Sequence, residues 1–178
     1  MTFSANVKKE LCSLPITDSE LLAPELYAML CISSHLSNGS VVFKSEHRLV
    51  ADRCIDLVVE LCTPILTLST SYNAKRKKMN YIVSVENPAE LRTVREFEEN
   101  FSFSSIDTAN KQAAFLRGSF LSCGSMNNPD RGYHLEFASA NEENAKQLEN
   151  ILSSLSIPVK SIIRHHHRIL YLKESESI

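Results

Sequence analysis

Residues 110–123 read NKQAAFLRGSFLSC, and this stretch decides the fold. Its apolar positions, Leu116, Phe120 and Leu121 among them, recur at helical spacing. Ala114, Gly118 and Ser122 fall at i, i+4 and i+8, so small side chains line one face of the predicted helix. A glycine inside a helix costs about 0.5–1 kcal/mol relative to alanine. Gly118 therefore needs a compensating gain, and close approach of a second helix backbone supplies one. The partner is residues 22–36, LAPELYAMLCISSHL, in which Ala28 and Cys31 form a comparable stripe. The two helices are expected to pack side by side along an internal pseudo-twofold axis.

Outward from these helices the chain repeats itself. Each runs into a polar turn, 37–39 or 127–129, and then a short strand, 41–43 or 133–137. A helical segment follows, 49–62 in the first copy and 142–155 in the second. Each copy then supplies a hairpin: 65–70 with 79–85 around 73–78, and 158–163 with 168–172 around 165–167. The offset between copies stays at about 90 residues, from Leu26 to Leu116 and from Ala28 to Gly118. The first copy closes with a further helix, 88–100. The expected fold is α+β, a duplicated fold of two pseudo-twofold-related halves with antiparallel sheets and two central packed helices. Residues 1–178 form one domain on this reading, with repeats at about 20–100 and 110–178 and a connector at 101–109.

Composition narrows the function. With 178 residues, 43% of them hydrophobic, and a net charge of only −2, the chain is globular rather than disordered. No apolar run approaches the roughly 20 residues that span a bilayer, so no membrane role is expected. Residues 1–11, MTFSANVKKEL, lack the apolar core of a signal peptide. The five cysteines are odd in number and never spaced C-x-x-C, which predicts reduced thiols in a cytoplasmic protein. Three consecutive histidines, His165 to His167, point in different directions in a turn or strand and do not converge on one ion. No metal site is expected, and with no clustered glycine loop, no cofactor.

Charge is unevenly shared. The predicted strands and hairpins (39–48, 65–86, 131–137, 157–172) hold ten basic and three acidic residues, whereas the rest holds nine and eighteen. Lys75, Arg76, Lys77 and Lys78 form one hairpin tip, and Arg164 and Arg168 bracket the other. Two basic tips related by an internal twofold could straddle double-stranded DNA and neutralise phosphates. Charge alone is equally compatible with ordinary solvated hairpin tips.

The motif Leu116-Arg117-Gly118-Ser119-Phe120-Leu121-Ser122-Cys123-Gly124 resembles the second LAGLIDADG helix of homing endonucleases. It is most similar to the WhiA family of bacterial regulators, with a pattern close to L-R-G-[AS]-F-L-x-x-G-S. The opening Ser4-Ala5-Asn6-Val7-Lys8-Lys9-Glu10-Leu11 resembles that family's S-x-x-V-K-K-E-L, and Tyr133-His134-Leu135-Glu136 and Tyr171-Leu172-Lys173-Glu174 match two further stretches. The resemblance implies a duplicated LAGLIDADG-like domain, followed in full-length members by a helix-turn-helix domain that reads DNA sequence. That second domain is expected to be missing from a chain that stops at Ile178. The family is implicated in transcription regulation during sporulation, in cell division and in chromosome segregation, which implies a nucleoid-associated location.

A LAGLIDADG nuclease needs one acid at the end of each central helix to hold divalent metal beside the scissile phosphates. Alignment through Gly118 and Ala28 puts Cys123 and Ser33 at those positions, and neither is a carboxylate. The chain is therefore expected not to be an enzyme: a catalytically inactive DNA-binding domain with Lys75–Lys78, Arg164 and Arg168 as phosphate contacts. The alternative is a protein-interaction or scaffolding domain that never touches DNA, supported by its acidic helices. A degenerate homing endonuclease is the remote third reading.

Overall fold

The computed structural model describes residues 2–15, 18–33, 39–165 and 167–173. Its elements are α1 (Phe3–Ser13), α2 (Ser19–Ser33), β1 (Val41–Ser45), α3 (Arg48–Cys62), β2 (Thr67–Asn73), β3 (Lys78–Ser84) and α4 (Pro88–Asn100), then α5 (Ala109–Cys123), β4 (Gly124–Met126), β5 (Leu135–Ser139), α6 (Glu142–Ser154), β6 (Lys160–Arg164) and β7 (His167–Leu172). Short 3-10 turns lie at Phe103–Ser105 and Pro129–Arg131. Polar caps set several helix starts: Thr108 Oγ1 accepts from Lys111 N, and Asn141 Oδ1 from Glu143 N and Asn144 N. Asn87 caps α4 with Pro88 in its first turn, where a missing N–H costs nothing.

Two antiparallel sheets follow, ordered β1-β3-β2 and β4-β5-β7-β6. Each is backed by its own core. Val83, Phe43, Leu57 and Val58 belong to the first, and Phe137, Leu148, Leu170 and Leu172 to the second. The central helices serve both. Leu26, Met29 and Leu30 of α2 enter the first core while Tyr27, Ala28 and Cys31 enter the second, and Leu121 of α5 crosses into the first. A helix buried all round has no polar face, which is why residues 22–31 show little amphipathic contrast.

The sequence reading of the two central helices meets a close crossing. A methyl group on Gly118 would overlap the Glu25 carbonyl oxygen and come within 3.0 Å of Ala28 Cβ. Ala114 is buried beside them, and Ser122 donates to the Ser119 carbonyl at 3.1 Å. Both helices are fifteen residues long and end at Ser33 and Cys123.

Other boundaries differ from expectation. Helix α1 and strand β4 add to the elements that the sequence pattern predicts. Strand β2 begins at Thr67 rather than Ile65, which is 78% exposed outside the sheet. The predicted tip 164–168 is shorter than expected, because Arg164 and His167 pair directly across β6 and β7. Residues 34–36 of the predicted helix, most of the first polar turn, His166 and Glu174 lie outside the described residues.

Candidate nucleic-acid interface

Strand alternation sorts the sheet residues onto two faces. In the first sheet Leu68, Tyr81 and Val83 turn towards the helices and the core. Their neighbours Ser69, Ser71, Asn73, Lys78, Asn80, Ile82 and Ser84 share the opposite face, joined by Lys44, which pairs with Ile82. That face carries hydroxyls, amides, two lysines and Ile82, with Asn80 and Ser84 buried in it. The corresponding face of the second sheet carries Ser125, Glu136, Lys160, Ile162, Arg164, His167, Ile169 and Tyr171. It is more mixed, and Glu136 sits in it, accepting from Ser125 at 3.1 Å with the Arg164 guanidinium 3.8 Å away as an ion pair.

The sequence-predicted cations fare differently. Lys75 and Lys77 are exposed at the β2–β3 turn and make no ion pair among the described residues. Arg76 and Lys78 both bind Glu46, at 2.9 and 2.5 Å. Burial resists ionisation of Glu46, but these two hydrogen-bonding cations prevail and hold its carboxyl below the usual range. Arg164 is exposed on the second sheet's open face. Arg168 is not with it: its guanidinium binds Glu142 at 2.7 Å and Glu149 at 3.1 Å on α6. The pleat explains this correction, because Arg168 shares the helix-facing side of β7 with Leu170 and Leu172.

A cavity of about 620 Å³ lies where α5 ends, between α1 and the open face of the first sheet. Ser122, Cys123, Lys44, Lys78, Arg76 and His47 line it, together with Lys8 from α1. Lys8 is 7% exposed, and its Nζ donates to the Leu121 carbonyl at 3.0 Å. A cation is well placed there, at the negative end of the α5 dipole. Its ring neighbour is Phe120, 5.5 Å away. Burial lowers the His47 pKa first, and repulsion from Lys8 and Lys78 lowers it further. The position of Lys8 was invisible in sequence; the one signal was the apolar spacing of Phe3, Val7 and Leu11, which makes residues 3–13 a helix with an inward face.

The divalent ion that the sequence resemblance implies would need hard oxygen donors at the helix ends. They are not there. Ser33 and Cys123 end the two helices, burial pushes the Cys123 thiol up to about 12, and a lysine ammonium stands beside it. Among the described residues no three His, Cys, Asp or Glu side chains gather as a metal site. The donor set does not fit a hard cation.

Burial also lowers the Lys8 pKa from 10.5 to about 8, against weaker upward pulls from Cys123, Cys12 and Glu46 and with Lys78 adding to the fall. A lowered lysine pKa means the folded state holds that proton less tightly than the unfolded chain. The full cost of the buried charge is present below pH 8 and is relieved as pH rises from 8 to 10.5. Relative to Lys8→Met, the native chain should thus gain about 2–3 kcal/mol between about pH 7 and about pH 10. Urea unfolding of both proteins at the two pH values measures this, and an unchanged gap refutes it.

The chain has clear relatives. The family model described as "WhiA LAGLIDADG-like domain" matches residues 112–178. A "Probable cell division protein WhiA" from Exiguobacterium sibiricum is 34% identical over 193 aligned positions, covering 100% of this chain and 60% of the relative. The chain thus spans about 60% of the length of that curated relative. The crystal structure of the N-terminal LAGLIDADG domain of DUF199/WhiA superposes with a TM-score of 0.76 at 25% identity, covering 99% of this chain and 88% of that one. The homing endonuclease I-DmoI, in its complex with DNA and Mn, shares the fold at a TM-score of 0.54 and 13% identity, over 86% of this chain and 90% of that one.

Proposed function

The chain belongs to the WhiA family, and from that premise we propose that its two-sheet domain is a catalytically inactive, DNA-associated part of a bacterial cell-division regulator. Residues 20–100 and 110–178 act on this reading as two repeats of a single domain, joined by the connector 101–109. Roles in transcription, sporulation and chromosome segregation, and a nucleoid-associated location in the cytoplasm, belong to the same proposal. Among the described residues no helix is long and apolar enough to cross a membrane.

The observation that carries the reading is the open face of the first sheet. Hydroxyl and amide side chains alternate along β2 and β3, Lys44 and Lys78 stand among them, and Lys75 and Lys77 extend the face into solvent. Such donors suit phosphate and sugar oxygens, which position a duplex without reading its bases. The contact set is Lys75 and Lys77, with Arg76 and Lys78 available if they exchange Glu46, and Arg164 if it exchanges Glu136, for a phosphate. Arg168 is committed to α6. Cleavage is not part of the proposal, since Ser33 and Cys123 occupy the helix ends where paired acids would hold metal.

Duplex binding measured across a salt series tests this. Affinity should fall with salt, and a Lys75→Gln/Lys77→Gln protein should lose about 2 from the slope of log K against log salt. No magnesium-dependent nicking should appear. Undetectable binding at low salt would instead favour the scaffolding reading, which has its own observation: Glu136 sits in the second sheet's open face, where it would repel a phosphate backbone.

A further inference from the structure

The cavity at the end of α5 is more specialised than a duplex-binding face requires. The geometry points to this cavity as a binding site for the terminal phosphate of a free, nucleotide-sized ligand, held by Lys8, Lys44 and Lys78. Four lysine and arginine side chains line it (Lys8, Lys44, Arg76 and Lys78) against one carboxylate, Glu46, which is already shared by Arg76 and Lys78. Lys44 makes no ion pair among the described residues. Lys8 Nζ has three N–H groups, and among the described residues its one hydrogen-bond acceptor is the Leu121 carbonyl. A buried ammonium with unused donors, aimed into a positive cavity, is a site that an anion would complete.

Size and shape favour a small ligand over a polymer. About 620 Å³ is within the range of small-molecule pockets and exceeds what one phosphate ion fills. Asn80 and Ser125 on its walls offer hydrogen bonds to sugar hydroxyls or a base edge. A phosphomonoester carries its charge at a chain end and can reach the recessed Lys8 ammonium. A phosphodiester inside a duplex is flanked on both sides by sugars and presents one charge at the surface. The ligand chemistry is shared with DNA and Lys44 and Lys78 are common to both surfaces, so the test separates the two sources.

Isothermal titration of the whole chain with AMP and with inorganic phosphate, at low salt and about neutral pH, is the measurement. AMP should bind more tightly than inorganic phosphate. Lys44→Gln, a strand-surface change that spares the core, should weaken AMP about tenfold, and Lys8→Met at least as much. Lys9→Gln, on the exposed side of α1, should bind as the native chain does. Thermal melts report whether Lys8→Met is folded, and Lys44→Gln carries the test if it is not. A short duplex that leaves AMP binding in place supports the free-ligand assignment. Silence with AMP and phosphate, or unaltered binding by Lys44→Gln, overturns it. So does duplex binding that needs Lys8 and Lys44 while AMP stays silent, which would make the cavity a backbone contact.

Discussion

Replacing Glu25 by glutamine is expected to destabilise the domain by roughly 3–5 kcal/mol, the range for breaking a buried ion pair from one side. Glu25 is fully buried in α2. Arg53 of α3 grips it with two nitrogens, and Arg117 of α5 donates from Nε at 2.9 Å and from a terminal nitrogen at 2.6 Å. Arg53 also donates to the Cys12 and Leu14 carbonyls at 3.2 and 2.8 Å, so the triad ties the end of α1 to three other helices. An amide in place of the carboxylate would leave two guanidinium charges, one of them 3% exposed, without a counter-charge. Denaturant unfolding measures the loss. A change below about 1 kcal/mol would show that water reaches the site and screens it.

Gly118→Leu should also be severe, roughly 3 kcal/mol or more, at or beyond the upper end for an overpacked core. In an exposed helix the same change would stabilise, because leucine is the better helix former. Here the first added carbon meets the Glu25 carbonyl oxygen, a backbone atom that cannot rotate away, and Ala28 Cβ lies 3.0 Å from it. The helices must separate, and α2 is part of both cores. Thermal unfolding gives the sign, and a raised midpoint would mean that the crossing is looser than the structure shows. Since Glu25 contributes both the carbonyl at the crossing and the carboxylate of the triad, the two substitutions should not be additive.

How much of this was legible in the sequence depends on the distance over which each feature acts. The glycine at 118 and its offset partner at 28 announced a close helix pair, and the repeat gave both sheets their hairpins, because small-residue stripes and strand alternation are local patterns. The Glu25 triad was not legible: its members lie 28 and 92 positions apart and each reads alone as a surface charge. Arg168 was misplaced for a subtler reason. It is expected at the tip beside the 165–167 turn, whereas its parity with Leu170 and Leu172 along β7 places it on the helix-facing side. The cavity was also out of reach, since Lys8, Lys44 and Cys123 meet only after α1 folds back onto the end of α5.

The sharing of α2 and α5 between the two cores has a consequence for ancestry. A half whose central helix sends Tyr27, Ala28 and Cys31 into the other sheet's core has no complete interior of its own. Once such interdigitation exists, losing either copy would expose aliphatic surface over the whole length of the survivor's central rod. On the proposed two-repeat reading the halves are free to differ in charge, as their unlike sheet faces do, but are expected to unfold together.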